Sequence, residues 1–283
     1  MTLKDWLEQA EARLLHGPHP ERARLDAEVL LLHLIGRDRA FLIAHGDERM
    51  TAEGALRYYA CIDRRLTAEP IQYIVGESEF YGLTFRVNRD VLIPRPETEH
   101  AVEKVLELAG AFASPRIADV GTGSGAIAVA LSAHLPAAAI TATDISPAAL
   151  ALAQQNAAAN SVSERIRFLA GDLLAPVASE RFEVVVSNPP YVAETEHNIL
   201  SAEVRDFEPW LALFAGPEGL AIYRRLIPQA FTALVPGGYI VLEIGYGQQD
   251  AVAELLFQAG FINAVFTADL QGIPRVAAAR RPV

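Results

Sequence analysis

Between residues 117 and 188, short apolar runs stop on a polar residue again and again. Ile117-Ala118-Asp119-Val120 runs into Gly121-Thr122-Gly123-Ser124-Gly125, Ala139–Thr143 ends at Asp144, Ile166–Ala170 ends at Asp172, and Phe182–Ser187 ends at Asn188. Helical stretches follow the first two runs, an apolar one after Gly125 and one opened by Pro147 that reaches about Ala159. Downstream the pattern predicts a helix over 219–234, a strand Tyr239–Ile244 after Gly237-Gly238, and a helix over 248–259. Strands over 262–267 and 275–280 share a turn near Gln271-Gly272, so that pair can only be antiparallel. Short buried strands alternating with helices build a mostly parallel sheet covered on both faces. The fold class expected is therefore α/β and Rossmann-like, with a seven-stranded sheet whose last strand is antiparallel.

The residues ahead of this region read differently. Leu3, Trp6, Leu7, Ala10 and Leu14 recur at helical spacing, as do Leu25, Val29 and Leu32. Thr51 can cap a further helix with Leu56, Tyr59, Ile62 and Leu66 along one side. Residues 1–75 are thus expected to form a small helical bundle, with nothing catalytic in it. Phe80, Leu83, Phe85 and Val87 around Tyr81-Gly82 suggest a hairpin, and Pro94 and Pro96 an extended connector. That gives expected boundaries of 1–75, 76–95 and 96–283, with Pro96 in the first turn of an acidic-ended helix.

Composition narrows the function. A formal charge of −11 argues against a chain that holds nucleic acid by neutralising phosphates. The single cysteine, Cys61, excludes an intramolecular disulfide and a cysteine-based zinc site. Histidines 16, 19, 33, 45, 100, 134 and 197 show no metal-ligand spacing, so no metal is expected. The N-terminus carries charges where a signal peptide needs an apolar run, and the alanine-rich stretch 126–142 is interrupted by His134 and Pro136. A cytoplasmic protein with no membrane contact, most simply a monomer, is expected.

In open α/β sheets the ligand lies beyond the carboxyl ends of the strands. There the glycine loop Gly121, Thr122, Gly123, Ser124 and Gly125 lets a ligand lie against the main chain. Asp144 can accept both hydroxyls of a ribose, and Asp172 can accept from an adenine amino group with Leu173 against the ring. These parts suit an adenosine without saying which one, because Gly121, Gly123 and Ala126 also satisfy a dinucleotide pattern.

Asn188-Pro189-Pro190-Tyr191 decides between adenosines. An amide NH2 is a poor nucleophile because its lone pair is spread into a π-system. The Asn188 side-chain oxygen and the Pro189 carbonyl can together accept both its protons, orient the nitrogen, and stabilise the positive charge that grows there during attack. Pro189 and Pro190 stiffen the loop and remove competing donors, and Tyr191 supplies an aromatic wall. The electrophile matching such a trap is the methyl of S-adenosyl-L-methionine, a sulfonium that departs as a neutral thioether.

The segments DVGTGSGAIAVAL, ATDISPAAL, SNPPYV and GGYIVLEIGYGQ resemble class I S-adenosylmethionine-dependent methyltransferases. EPIQYIVGESEFYGLTFRVNRDVLIPRPETE resembles the protein-(glutamine-N5) methyltransferases, and the helical N-terminal region their branch acting on peptide-chain release factors. The resemblance covers nearly the whole chain. It implies methylation of the glutamine in the release factor's Gly-Gly-Gln loop, with S-adenosyl-L-homocysteine as coproduct. It also implies that residues 1–75 recognise the substrate. Gly121 to Gly125 would face the methionine part of the cofactor, Asp144 the ribose, and Asp172 and Leu173 the adenine. Asn188 to Tyr191 would hold the glutamine, with Asn188 also near the cofactor, and Arg95, Glu97 and Thr98 would border the site. Leu173 stands where relatives often carry an aromatic residue, and Trp210-Leu211 where polar residues are commoner. A dinucleotide-dependent oxidoreductase, a DNA adenine methyltransferase and a glutamine methyltransferase acting on a ribosomal protein are the competing readings.

Overall fold

A computed structural model describes residues Met1–Val283. The chain forms two compact units, Met1–Glu77 with Ser201–Phe207, and Ser78–Leu200 with Glu208–Val283.

The smaller unit contains α1 (Leu3–Leu14), α2 (Ala23–Ile35), α3 (Arg39–His45), α4 (Ala52–Leu66) and α5 (Ile71–Val75). Thr2 and Asp5 close a capping box at the start of α1, and the Thr51 hydroxyl accepts from Gly54 N–H to start α4. The α1 stripe Leu3, Leu7, Ala10 and Leu14 is buried as its spacing predicts. The inward faces of α2 and α4 differ from the expected ones. Leu25 is 53% exposed and Leu56 72%, while Asp26, Ala27, Tyr58, Ile62 and Arg65 face inward. Polar pairing sets this rotation. The Arg65 guanidinium donates to Asp26 at 2.6 Å and the Tyr58 hydroxyl to the Ala27 carbonyl at 2.7 Å, so these hidden side chains meet polar partners across the helices. Hydropathy spacing alone cannot register such a pair. Arg65 also holds Glu203, which ties Ser201–Phe207 to this unit.

The larger unit begins within a two-stranded sheet of β1 (Glu77–Phe80) and β2 (Leu83–Arg86). Tyr81 and Gly82 link these strands with φ of 51° and 72°, the two left-handed residues that a tight hairpin turn demands. A 3-10 turn Pro96–Thr98 leads into α6 (Glu99–Ala109). The main sheet then takes β3 (Arg116–Val120), β4 (Ala139–Asp144), β5 (Ile166–Ala170), β6 (Phe182–Ser187), β7 (Leu234–Glu243), β8 (Ile262–Ala268) and β9 (Pro274–Arg280). Between its strands come α7 (Ala126–His134), α8 (Pro147–Ala159), α9 (Ala202–Phe207, part of the smaller unit), α10 (Trp210–Leu213), α11 (Ala221–Ala233) and α12 (Gln249–Gln258).

The strand order is β5-β4-β3-β6-β7-β9-β8, with β9 antiparallel to both neighbours and the other pairings parallel. The α/β, seven-stranded expectation with an antiparallel last strand is thus met. Alternate residues serve opposite faces: Ile117, Val184 and Val186 pack with α6 and α7, and Ala118, Val120 and Val185 with α11. β7 starts earlier than its hydropathy suggests. Gly237-Gly238 lies inside it, where the pairing with β6 jumps from Phe182↔Leu234 to Val184↔Tyr239. Because β3 and β6 are neighbours while the chain passes through β4 and β5 between them, the winding reverses at β3. A crevice at the carboxyl ends belongs there. No helix is long and apolar enough to cross a membrane.

Candidate active site

A cleft of about 240 Å³ opens at that point of the larger unit. Gly121, Thr122, Gly123, Ser124, Asp144, Asp172, Leu173, Asn188, Pro189 and Pro190 all line it, so residues from four separate strand ends meet in one cavity. Thr98 lines it as well, from the proline-rich connector. Gly125 and Tyr191 do not.

The glycine loop explains the first difference. Gly121 and Gly123 have φ of 72° and 56°, and a Cβ placed on either would meet nothing within 4 Å. Their open backbone faces the cleft. Gly125 has φ of 82°, but its Cβ would sit 3.0 Å from the Cβ of Ala153 on α8. Packing against α8 therefore requires glycine here whatever the loop holds. Asn156 on α8 reinforces the same junction. Its amide nitrogen donates to the Ser124 and Arg86 carbonyls at 2.8 and 3.0 Å, and its oxygen accepts from Arg86 N–H at 2.7 Å. Beneath the loop lies Asp119. One of its oxygens accepts from the Thr122 hydroxyl at 2.6 Å and Ala128 N–H at 3.1 Å, while the other is buried without a partner. Burial pushes this carboxyl up to about 7.

Each acidic strand end already carries bonds. Asp144 accepts from Gly123 N–H at 2.8 Å on one oxygen and from Ser146 N–H at 2.9 Å on the other. A carboxylate has about four lone-pair sites, so both oxygens retain capacity for a hydroxyl. The helix after it is capped by Ser146, whose hydroxyl accepts from Ala149 N–H. Asp172 is paired with Arg225 on α11, a partner that lies far off in sequence. Leu173 holds φ at 51°, a left-handed conformation that is unusual for a branched apolar residue, and its carbonyl accepts from the Thr143 hydroxyl at 2.9 Å.

At the end of β6 the Asn188 amide nitrogen donates to the Thr98 hydroxyl at 3.0 Å. Asn188 Oδ1 takes up no hydrogen bond from the protein, and Asn188 lines the cleft together with Pro189 and Pro190. Tyr191 follows these prolines with its side chain against the core. Its ring packs with the β6–β7 core, its hydroxyl donates to Glu243 at 3.2 Å, and its carbonyl accepts from the Gln248 amide at 2.9 Å. Arg95 donates to both oxygens of the buried Glu208 at 2.7 Å, which clips the connector to the Glu208-Pro209 turn at the cleft edge. Sequence reasoning gives no role to Arg225 or Glu243. Arg225 has no local signal at all, whereas Glu243 is marked by a charged residue at the end of an otherwise apolar strand.

The cleft's lining also bears on what it can hold. Its charged residues are Asp90, Asp144 and Asp172 against Arg225 alone, an environment that favours a cationic ligand.

Comparison with known proteins agrees with this geometry. Residues 102–206 match the Methyltransferase small domain and residues 5–76 the PrmC N-terminal domain. The chain is 44% identical over 283 residues to the release factor glutamine methyltransferase of Koribacter versatilis, covering 100% of this chain and 99% of that one. It is 46% identical over 260 residues to the one from Moorella thermoacetica, covering 92% and 91%. A methyltransferase structure from Pyrococcus furiosus superposes with a TM-score of 0.53 at 17% identity, covering 72% of this chain and 91% of that one, which shows the fold alone. The fold is that of a class I methyltransferase, and the chain belongs to the release factor glutamine methyltransferase family.

Proposed function

We propose that this protein transfers a methyl group from S-adenosyl-L-methionine to the side-chain amide nitrogen (N5) of the glutamine in the Gly-Gly-Gln loop of a peptide-chain release factor. The observation that carries the reading is the cleft-lining Asn188, whose amide nitrogen is taken by Thr98 while its oxygen is left without a protein partner. A site built to receive an NH2 group needs acceptors, and this strand end offers Asn188 Oδ1 beside the Pro189 carbonyl.

The cleft residues fit S-adenosylmethionine. Gly121 and Gly123 would hold its methionine portion along open backbone, Asp144 its ribose, and Asp172 and Leu173 its adenine. When bound, it supplies an activated methyl on a positively charged sulfur and leaves as S-adenosylhomocysteine. A dinucleotide could use the same glycine loop and Asp144, but it would give no purpose to the Asn188–Pro189 acceptors. Asn188 Oδ1 and the Pro189 carbonyl accept the two amide protons and turn the nitrogen lone pair toward the cofactor. The same oxygens stabilise the charge that develops on nitrogen, as fixed dipoles in a water-poor site do. Pro189 and Pro190 keep that acceptor pair rigid, and Tyr191 braces it from behind. The proton released from nitrogen passes to Asn188 Oδ1 or to water. Residues 5–76, by their match to the PrmC N-terminal domain, are assigned to recognition of the release factor.

The test is incubation of the purified chain with labelled S-adenosylmethionine and a release factor, followed by mass spectrometry of the loop peptide. One added methyl on the glutamine is expected. Asn188→Ala is expected to lose at least about 10²-fold in turnover, the scale for removing one preorganised partner of the reacting group, with cofactor affinity nearly unchanged. Label on a ribosomal protein or on DNA in place of the release factor would reject the substrate.

A further inference from the structure

Glu243 ends β7 at 1% exposure, a fully buried acid that touches neither the cleft nor any basic side chain within hydrogen-bonding reach. Both of its oxygens receive hydroxyls. Thr98 donates to one at 2.5 Å and Tyr191 to the other at 3.2 Å, and the backbone carbonyl of Glu243 accepts from the Tyr223 hydroxyl at 2.8 Å. We infer that Glu243 is a positioning residue for methyl transfer: through Thr98 it dictates which end of the Asn188 amide faces the cleft, and through Tyr191 it braces the acceptor loop. The inference rests on the proposed methyl-transfer reading.

The argument is one of hydrogen polarity. An ionised carboxylate only accepts, and a hydroxyl has a single hydrogen. Thr98 must therefore spend its hydrogen on Glu243, which leaves only lone pairs toward Asn188. The Asn188 amide can answer only with its NH2, so its oxygen turns to the cleft. With a neutral carboxyl the direction can reverse. The acid donates to Thr98, Thr98 donates to Asn188 Oδ1, and the Asn188 NH2 swings toward the cleft. There its two hydrogens would oppose the hydrogens of the substrate's own NH2. One proton on Glu243 thus separates an acceptor site from a donor site two side chains away.

The surroundings make that proton available near neutrality. Burial pushes the Glu243 carboxyl up to about 7, against the lowering effect of its two hydroxyl donors. Of the charged groups around it, Glu97 on the connector raises it further and Arg275 on β9 lowers it, while Tyr191 and Tyr223, both held well above their usual range, stay neutral donors.

The decisive experiment measures single-turnover methylation of a release factor against pH, with cofactor affinity measured separately by calorimetry. For the native protein the rate is expected to fall on the acid side of about pH 7, roughly tenfold per unit at the limit. Glu243→Gln is expected to lower the maximal rate on the order of 10²-fold, the scale for a misplaced group, and to abolish that acid limb. Acceptor KM and cofactor Kd should stay within about twofold. Thr98→Val, which cuts the relay but keeps the carboxylate, should show the same loss, and Thr98→Ser should restore the rate to within a few-fold. Should Glu243→Gln not fold, the Thr98 pair decides. The inference is overturned by wild-type turnover in Glu243→Gln or Thr98→Val, by equal loss in Thr98→Ser and Thr98→Val, or by losses matched in cofactor Kd. A native protein that labels no release factor, or an Asn188→Ala variant of full activity, would sink the proposed function itself. Those outcomes are read independently of the Thr98 and Glu243 variants.

Discussion

The loops after β3 and β6 leave adjacent strands and line the same cleft, yet they are shaped by opposite means. The β3 loop is held mostly through its backbone N–H groups. Gly121 and Thr122 N–H both donate to the Thr143 carbonyl, Gly123 N–H to Asp144, and Gly125 N–H to the Thr122 carbonyl. The β6 loop has two prolines that donate nothing, and side chains hold it, through Thr98, Glu243 and Gln248. Each loop sits over one fully buried carboxyl, Asp119 or Glu243, and burial pushes both up to about 7. The difference is in what the carboxyl secures. Asp119 gathers two donors onto one oxygen and so fixes a backbone shape. Glu243 takes one hydroxyl on each oxygen and so fixes a direction of hydrogen bonding. Removing the first should cost fold and cofactor affinity, and perturbing the second should cost turnover.

The sharpest way to break that contrast is Asp119→Ala. It strands the Thr122 hydroxyl and Ala128 N–H in the interior, and leaving two buried donors unpaired costs about 2–4 kcal/mol. Urea titration should show that loss together with weakened cofactor binding. If Asp119→Ala proved as stable as the native chain and lost only turnover, the two carboxyls would share one role and the comparison would fail.

The glycines test the same division within the β3 loop. Gly125→Ala meets both a left-handed φ and a 3.0 Å contact with Ala153, so it should destabilise by about 2–3 kcal/mol in thermal or urea unfolding. Gly123→Ala meets only the φ term, about 1–2 kcal/mol, because nothing lies near its Cβ. Its larger effect should be on calorimetric cofactor affinity, weakened about tenfold or more as a methyl enters the cleft.

Titration gives a smaller and shared effect. Both carboxyls are raised in the folded state, so between the ordinary carboxylate range and about pH 7 the native chain binds more protons than the unfolded one. The slope of unfolding free energy with pH is then negative. Their contribution is fully present below the unfolded value and is lost as pH rises toward 7, by roughly 1–3 kcal/mol in total after allowing for relaxation around buried groups. Urea midpoints from pH 5 to 8 should decline accordingly. Asp119→Asn and Glu243→Gln should each flatten part of the slope, although only Glu243→Gln should alter the pH dependence of turnover.

Much of this arrangement is legible in the sequence because strand ends in a parallel sheet point the same way. Once the apolar runs before Gly121, Asp144, Asp172 and Asn188 are read as parallel strands, their terminal residues must converge, and the cleft brings them together. What stays hidden depends on side chains meeting across distant sequence. Arg225 reaches Asp172 from α11, Thr98 reaches Glu243 from before the first strand of the main sheet, and Asp26 hides with Arg65. Hydropathy spacing treats each of these as a surface residue, and that is why it turns α2 and α4 outward by a fraction of a turn. Gly125 and Tyr191 carry packing demands that residue type alone does not announce, a close approach to Ala153 and a bond to Glu243.

The smallest expected effect lies at a third strand end, where neither device operates. Leu173 follows β5 with φ of 51°, pinned by the Thr143 hydroxyl and lining the cleft. A left-handed branched residue costs about 1–2 kcal/mol relative to glycine. Leu173→Gly relieves that strain but gives up the apolar contact of a partly buried side chain, worth about 1–2 kcal/mol. The two nearly cancel, so the unfolding free energy should move by less than about 1 kcal/mol in either direction. Cofactor affinity should not be spared, because the apolar face beside Asp172 goes with the side chain. A several-fold rise in calorimetric Kd at unchanged maximal rate is the expected result. A fall in maximal rate with Kd unchanged would mean that this turn acts on the acceptor instead, and the division between a shape-fixing side and a direction-fixing side would have to be redrawn at β5.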